Sequence, residues 1–341
     1  MKLGLSLGYW GARQPDGQAD LVAMAEALGF DSIWSAEAYG SDALTPLAWL
    51  GGQTSTLRLG TSIIQMSART PTATAMAAMT MDRLSGGRFV LGLGASGPQV
   101  VEGWYGQPYP KPLARSREYI EILRRALRRE IVTFDGSQYT IPYLGGTGLG
   151  KALRSTLHPL RTDIPILLAA EGPKNVALAA EIADGWLPLF YSPYDDGHYR
   201  ASLAKGFARP GARRDLKDFE VVATVNVEVD SDLERAAERV RQTLALYIGG
   251  MGARGVNFHY EVFARMGYEQ ECERIQDLFL SGAKGEAAAA VPLSMVEKVA
   301  LVGPPAKIAD EFAAWKESLV TTMVISGSPQ TLKVMADIAS R

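Results

Sequence analysis

The chain has 341 residues, is 47% hydrophobic and carries a formal net charge of −2 at pH 7. Its length fits one large domain with insertions, although length alone also allows two domains. The charge predicts no basic surface for nucleic acid or a membrane, and the single cysteine, Cys272, excludes an internal disulfide and a cysteine metal cluster. The chain shows no signal peptide and no apolar run of about 18 residues, which predicts a cytoplasmic protein.

Short apolar segments recur along the chain, and most of them are followed by a helical pattern. Strands that alternate with helices pair in parallel, because a parallel connection needs a long crossover. Eight such units predict an α/β fold, a closed (β/α)8 TIM barrel whose chemistry lies at the C-terminal ends of the strands. The predicted strands are residues 3–7, 30–35, 57–63, 88–93, 164–169, 186–190, 219–229 and 322–326.

Three segments depart from this alternation and are predicted to be insertions within one barrel domain, residues 1–341. Residues 94–112 form a long loop after the fourth strand, and long loops are often functional. Residues 130–160 contain a hairpin, and residues 249–300 form an extra, mostly helical segment before the eighth strand.

The helix predicted over residues 113–129 carries four arginines that we expect on its exposed face. A solvated face is the preferred interpretation, and a docking site for an anionic ligand tail is the alternative. The four residues are Arg124, Arg125, Arg128 and Arg129.

A glycine-rich stretch, Gly92 to Gly97, follows the fourth strand and can be written G-x-G-x-x-G. A dinucleotide site needs a helix that begins inside this motif and an acidic residue about 20 positions later, at the end of a second strand. Pro98 follows instead, and the later stretch is a charged helix, so the dinucleotide interpretation is rejected. Either a tight turn at the barrel rim or a close approach of a ligand to the backbone remains.

A second stretch follows the fifth strand and opens a helix at Gly172, Pro173 and Lys174. Free N–H groups, the helix dipole and the lysine together favour a phosphate, whereas Glu171 opposes one unless it points away. The alternative is an ordinary helix start with proline in the first turn.

Glu37 comes just after the second strand, at the predicted barrel mouth. A carboxylate there can orient a ring N–H or serve as an acid or base, and the alternative is a salt-bridge partner on the rim. Gln65 and Arg69, after the third strand, are expected at the same mouth.

Acid–base groups are otherwise scarce. His158, His198 and His259 lie far apart and have no zinc-site spacing, and no G-x-S-x-G elbow is present. This pattern suits an enzyme whose cofactor carries out the chemistry.

Several motifs in order along the chain resemble those of the bacterial luciferase-like family, in its branch that uses the deazaflavin coenzyme F420. They resemble most the actinobacterial group of F420-dependent oxidoreductases. The motifs are residues 29–34 (GFDSIW), 36–43 (AEAYGSDA), 59–65 (LGTSIIQ), 69–71 (RTP), 84–94 (LSGGRFVLGLG), 96–104 (SGPQVVEGW) and 182–186 (IADGW).

The resemblance implies a luciferase-like TIM barrel, usually a homodimer, with F420 in its mouth. It implies a non-proline cis peptide at Ser62–Ile63, whose bulge supports the back of the deazaflavin ring, and Glu37 as the residue that orients ring or substrate. The cofactor-binding residues it implies are Ser62, Ile63, Gln65, Ala95, Ser96, Gly97, Ala170, Glu171, Gly172, Pro173, Lys174 and Asn175. Tyr9, Trp10, Trp104 and Tyr191 are predicted to line the substrate side.

One departure from the family narrows the function. Sugar-phosphate dehydrogenase relatives carry an Asp-His pair where this chain has Glu37 and Ala38, and that histidine is their proposed base. Since Ala38 cannot take a proton, glucose-6-phosphate dehydrogenase activity is not expected, and no residue specifically supports a pterin substrate.

The leading hypothesis is therefore an F420-dependent oxidoreductase that transfers a hydride between deazaflavin C5 and an unidentified small organic molecule. The loop aromatics favour an apolar or flat substrate, with loop packing as the alternative. An FMN-dependent luciferase-like monooxygenase and a non-catalytic ligand-binding barrel are the competing hypotheses.

Overall fold

The computed structural model describes residues 1–8, 10–12, 15–252 and 254–341. In this part of the chain, parallel strands close into a barrel, because the first strand pairs with both the second and the last, and the remaining strands pair in sequence. The barrel strands are β1 (Lys2–Ser6), β2 (Ser32–Ser35), β3 (Arg58–Thr61) continued by β4 (Ile64–Gln65), β5 (Phe89–Gly94), β8 (Ile166–Ala169), β9 (Gly185–Leu187), β10 (Glu220–Val229) and β12 (Thr322–Ser326). The predicted (β/α)8 barrel is confirmed.

Helices surround the barrel, and their ends follow local sequence signals. Thr70 caps the third helix by accepting from the N–H of Ala73, and Pro71 occupies its first turn. The helices are α1 (Gln18–Ala27), α2 (Leu44–Gly51), α3 (Pro71–Leu84), α4 (Pro98–Gly103), α5 (Pro112–Leu127), α6 (Pro173–Ile182), α7 (Gly197–Phe207), α8 (Leu233–Gly250), α9 (Phe258–Arg265), α10 (Glu269–Leu280), α11 (Lys284–Ala289), α12 (Leu293–Val299), α13 (Pro305–Lys316) and α14 (Pro329–Ser340).

Three short strands lie outside the barrel wall. β6 (Phe134–Asp135) and β7 (Thr140–Ile141) form an antiparallel hairpin. β11 (Ala300–Gly303) pairs in parallel with the C-terminal end of β10, on the edge opposite the last barrel strand, β12. The sequence pattern did not predict β11, because its four residues directly continue the apolar helix α12.

The core has three parts. The largest lies between the barrel and its outer helices, and a second one holds the segment from α8 to α12, with Cys272 buried inside it. The third fills the barrel itself with Trp34, Leu187 and four aliphatic side chains, and Ile63 and Ala169 pack on it. Because this filling closes the barrel interior, a ligand can enter only above it, at the C-terminal mouth.

One expectation about the outer surface is wrong. Arg124 was predicted on the exposed face of α5, yet it is 6% exposed. Its Nη2 lies 2.9 Å from Oδ2 of Asp184, which directly precedes β9 at the N-terminal end of the barrel. The helical period placed Arg124 on the polar side, but the guanidinium follows its carboxylate partner into the interior.

Candidate functional site at the barrel mouth

The third barrel strand is interrupted at the mouth. β3 ends at Thr61, the Ser62–Ile63 peptide bond is cis as the resemblance implied, and β4 resumes at Ile64. Two glycines of β5 make room for this irregular backbone. A Cβ atom on Gly92 would lie 1.8 Å from the Thr61 carbonyl oxygen, and one on Gly94 would lie 2.4 Å from Cδ1 of Ile63. The glycine-rich stretch after the fourth predicted strand therefore serves close packing against the bulge.

Glu37 is buried just after the end of β2, and both of its carboxylate oxygens have partners. Both of its oxygens lie 2.8 Å from Nη1 of Arg69, and Oε2 also accepts the N–H of Gln65 at 2.9 Å. Of the two interpretations of Glu37, this geometry favours the ion-pair partner. The carboxylate fixes the backbone of β4 relative to β2.

Gln65 ties the same two strand ends together through its side chain. Its Nε2 donates to the carbonyl oxygens of Glu37 and Ala38, at 3.2 and 3.4 Å. Its Oε1 is buried and has no hydrogen-bond partner among the described residues. An unpaired buried acceptor is costly, so an atom of this kind at the mouth is suited to receive a donor from a ligand.

The loop after β5 reaches over the mouth. Ser96 adopts a positive φ of 58°, and its carbonyl oxygen accepts from the Tyr109 hydroxyl at 2.8 Å. Tyr105 donates its hydroxyl to the carbonyl oxygen of Ala38 at 3.2 Å. Burial, and after it the charge of Glu37, raises the pKa of Tyr105, so its hydroxyl keeps its proton. Ala95 and Gly97 flank Ser96, which brings this predicted trio to the mouth together.

The loop after β8 leads into α6, as predicted. Ala170 is buried and accepts from Nε1 of Trp186 at 2.8 Å, and Gly172 is the N-cap of α6. A Cβ atom on Gly172 would meet nothing within 4 Å, so the backbone is open here. Pro173 and Lys174 are exposed, and Asn175 holds a buried Oδ1 without a hydrogen-bond partner among the described residues.

The Glu171 side chain turns away from this helix start. Its Oε1 lies 2.8 Å from Nδ1 of His259, and its carbonyl oxygen accepts from Nη2 of Arg265 at 3.3 Å. Both partners lie on α9, within the segment predicted as an extra helical insertion. Neither was predicted at the site, because no local pattern links residues so far apart in the sequence.

The four residues predicted to line the substrate side do not share one location in the structure. Trp10 lies at the mouth, since a Cβ atom on Gly40 would be 2.9 Å from its carbonyl oxygen, and Trp104 is 65% exposed. Tyr191 is 1% exposed and packs on Trp186, so the structure places it in the core and not at the mouth. Its ring is apolar enough to be buried, and its hydroxyl is paired with Asp196 at 3.0 Å. Tyr9 lies outside the described residues.

Two kinds of feature are absent from the described residues. No group of three or more His, Cys, Asp or Glu side chains there is arranged to hold a metal ion. No helix in the described part of the chain has the length and apolarity needed to cross a membrane.

The chain is similar in sequence to known proteins over most of its length. A profile of the luciferase-like monooxygenase family matches residues 6–322. The protein of Mycobacterium tuberculosis called "Putative coenzyme F420-dependent oxidoreductase Rv3520c" is 57% identical over 340 residues, which are 98% of either chain. The 5,10-methylenetetrahydromethanopterin reductase of Archaeoglobus fulgidus is 31% identical over 90% of this chain and 88% of its own.

A solved structure shares the fold at low identity. The coenzyme F420-dependent tetrahydromethanopterin reductase of Methanopyrus kandleri superposes with a TM-score of 0.80 at 23% identity, over 98% of this chain and 97% of its own. At that identity the likeness describes the barrel alone.

Proposed function

The chain belongs to the luciferase-like monooxygenase family, and from this premise we propose that it is an F420-dependent oxidoreductase. It transfers a hydride between deazaflavin C5 and a small organic substrate. The observation that carries the proposal is the buried, unpaired Oε1 of Gln65 at the mouth. The Mycobacterium tuberculosis relative, which is named as an F420-dependent oxidoreductase and matches 98% of this chain, also supports the proposal.

The residues at the mouth fit a deazaflavin. Gln65 would offer Oε1 to a ring N–H, and the Ser62–Ile63 bulge, whose Ile63 packs on the side chains that fill the barrel, is proposed to support the ring. Ala95, Ser96 and Gly97 form the small-residue wall on the β5 side. When bound, the deazaflavin supplies the carbon that gives or takes the hydride.

The start of α6 fits the phosphate of the same cofactor. Pro173 has no N–H and the N–H of Asn175 donates to the Gly172 carbonyl oxygen at 3.0 Å, but the N–H of Lys174 has no acceptor inside the helix, and the dipole favours an anion at this end. The residues proposed to surround the phosphate are Ala170, Glu171, Gly172, Pro173, Lys174 and Asn175. Glu171 takes part only through its main chain, because its carboxylate is directed away toward His259.

Glu37 acts here as a positioning residue. Its contacts with Arg69 and with the N–H of Gln65 hold β4, and so hold the Gln65 amide toward the ring. On the substrate side, Trp10 and Trp104 are the described residues proposed to contact an apolar or flat molecule. Ala38 provides no proton acceptor, so a sugar-phosphate alcohol is not the proposed substrate.

A homodimer in the cytoplasm is part of the proposal. Large apolar side chains are exposed on the outer helices α2 and α3, where Trp49 is 72%, Met76 61% and Leu84 75% exposed. A second copy that covers them would remove this surface from water. Sedimentation analysis of the unmodified chain and of Trp49→Glu tests this: we expect a dimer that the glutamate weakens.

The proposed cofactor is tested by titrating the purified apo-protein with F420 and with FMN while intrinsic tryptophan fluorescence is recorded. We expect saturable binding of F420 with a clear preference over FMN. A preference for FMN would move the function to a flavin-dependent monooxygenase, to be checked by oxygen consumption. Binding of neither would favour a barrel without catalysis.

A further inference from the structure

The proposed phosphate loop contains its own negative charge. Glu171 directly precedes Gly172, the N-cap of α6, and a carboxylate near a helix N-terminus is attracted by the same dipole and N–H groups as a phosphate. A free Glu171 side chain would therefore compete with an anionic ligand for the start of α6. Something in the structure must hold that charge elsewhere if the loop binds a phosphate.

Two residues of α9 hold Glu171. Nδ1 of His259 lies 2.8 Å from its Oε1, and Nη2 of Arg265 donates to its main-chain oxygen at 3.3 Å. Nδ1 of His259 and Oε1 of Glu171 lie at ion-pair distance, but their orientation is not that of a hydrogen bond. The contact is therefore an ion pair, which is attractive when the imidazole is protonated. Side chain and backbone of Glu171 are thus both directed to the insertion and away from α6.

The imidazole is held in turn by aromatic rings. Tyr247 and Phe190 meet His259 edge to face, with ring centroids 4.9 and 6.0 Å away, and the His259 side chain is 18% exposed. The negative charge of Glu171 also affects the hydroxyl of Tyr199. Burial, and after it the Glu171 carboxylate, raises the pKa of Tyr199 to about 12. The side chains of His259 and Glu171 are therefore both half-buried, at 18% and 14% exposed.

We propose that His259 is a positioning residue that keeps the charge of Glu171 away from the phosphate-binding start of α6. The inference rests on the proposed function, because it concerns the binding of the phosphate of an F420-like ligand. Without the imidazole, Glu171 turns to the helix start and competes with the ligand phosphate. The rest of the ring site is unaffected.

A double-mutant cycle tests the proposal. The proteins are the unmodified chain, His259→Phe, Glu171→Gln and the double variant, and phenylalanine keeps a ring between Tyr247 and Phe190. The dissociation constant for F420 is measured by tryptophan fluorescence at low salt. We expect His259→Phe to weaken binding about tenfold, Glu171→Gln to change it less than about threefold, and the double variant to return to within about threefold of the unmodified chain.

Two controls separate charge from structure. The same deazaflavin with its ribityl chain but without phosphate should bind all four proteins equally well. His158→Phe, a matched change at a histidine away from the mouth, should change neither dissociation constant, and thermal unfolding checks that every variant is folded.

Each result of these measurements either supports or overturns the role of His259. The role of His259 would be overturned, with the proposed cofactor unaffected, by any of three results. His259→Phe could weaken the binding of F420 and of the phosphate-free deazaflavin equally, it could leave F420 binding unchanged, or it could weaken F420 binding in a way that adding Glu171→Gln does not restore. Failure of the unmodified chain to bind F420 would overturn the proposed function and this inference with it.

Discussion

Each end of the barrel buries a carboxylate that is paired with arginine, but the two carboxylates have different surroundings. At the N-terminal end, Asp184 is paired with Arg124, Arg213 and Arg214, and it also accepts the N–H of Ile166 at 3.0 Å. At the mouth, Glu37 has one arginine. Charges at the closed end are shared among many partners, which is the arrangement expected where a barrel needs only stability.

Unpaired polar atoms mark the other difference. Of the eight buried side-chain atoms without a hydrogen-bond partner in the described part of the chain, five lie on the mouth side and two at the closed end. The five are Gln65 Oε1, Glu171 Oε2, Asn175 Oδ1, His198 Nε2 and His259 Nδ1. Because Glu171 and His259 face each other, the unpaired mouth atoms that a ligand can complete are those of Gln65 and Asn175, and the closed end offers no comparable site.

The largest effect is expected at the closed end. Asp184→Asn removes the charge that compensates three arginines, and we expect the free energy of unfolding to fall by about 3 kcal/mol, because breaking a buried pair leaves uncompensated charge. Urea denaturation measures it. Arg128→Met, which removes an exposed pair with Glu130, is the control and should change stability by less than about 0.5 kcal/mol.

Arg69→Met is the matching change at the mouth. It leaves Glu37 buried with only the N–H of Gln65, so we expect a loss of about 2 kcal/mol in the free energy of unfolding, less than for Asp184→Asn. Since Gln65 is then less well held, F420 binding should weaken as well. A variant that loses stability but binds F420 normally would show that Glu37 does not position the ring site.

Gln65→Met should affect binding more than stability. Methionine removes the unpaired Oε1, but it also removes the two bonds that Nε2 donates to the carbonyl oxygens of Glu37 and Ala38, so we expect the free energy of unfolding to fall by about 1 kcal/mol, less than for Arg69→Met. Binding of F420 should weaken about tenfold, equivalent to about 1.4 kcal/mol, because the proposed ring N–H loses its acceptor. A fall in stability with unchanged F420 binding would contradict the assignment of Gln65 to the ligand.

Acid pH gives the smallest effect. Burial alone would raise the pKa of Asp184, but Arg124, the N–H of Ile166 and Arg213 outweigh it and keep that pKa below its ordinary value. The carboxylate therefore stabilises the fold above about pH 4, and this contribution is lost as pH falls through the lowered pKa. In urea melts, the stability gap between the unmodified chain and Asp184→Asn should be constant above about pH 4 and narrow below it.

The sequence by itself determined the barrel and the position of its mouth. Alternation of apolar segments and helical patterns is local information, and the right-handed parallel crossover leaves few ways to arrange eight such units. The same local information placed Gly172 at a helix start, whereas Gly92 and Gly94, expected after the fourth strand, lie within β5. Motif resemblance added the Ser62–Ile63 bond and the family.

Only the tertiary structure decided which side chains meet. Arg69 reaches Glu37, and His259 reaches Glu171, because different loops converge on one mouth, and no periodic pattern encodes such convergence. For the same reason Arg124, expected on an exposed helix face, and Tyr191, expected to line the substrate side of the mouth, are both buried in the structure. Burial of a charged or aromatic side chain depends on the partner that the fold brings to it, and that partner lies far away in the sequence.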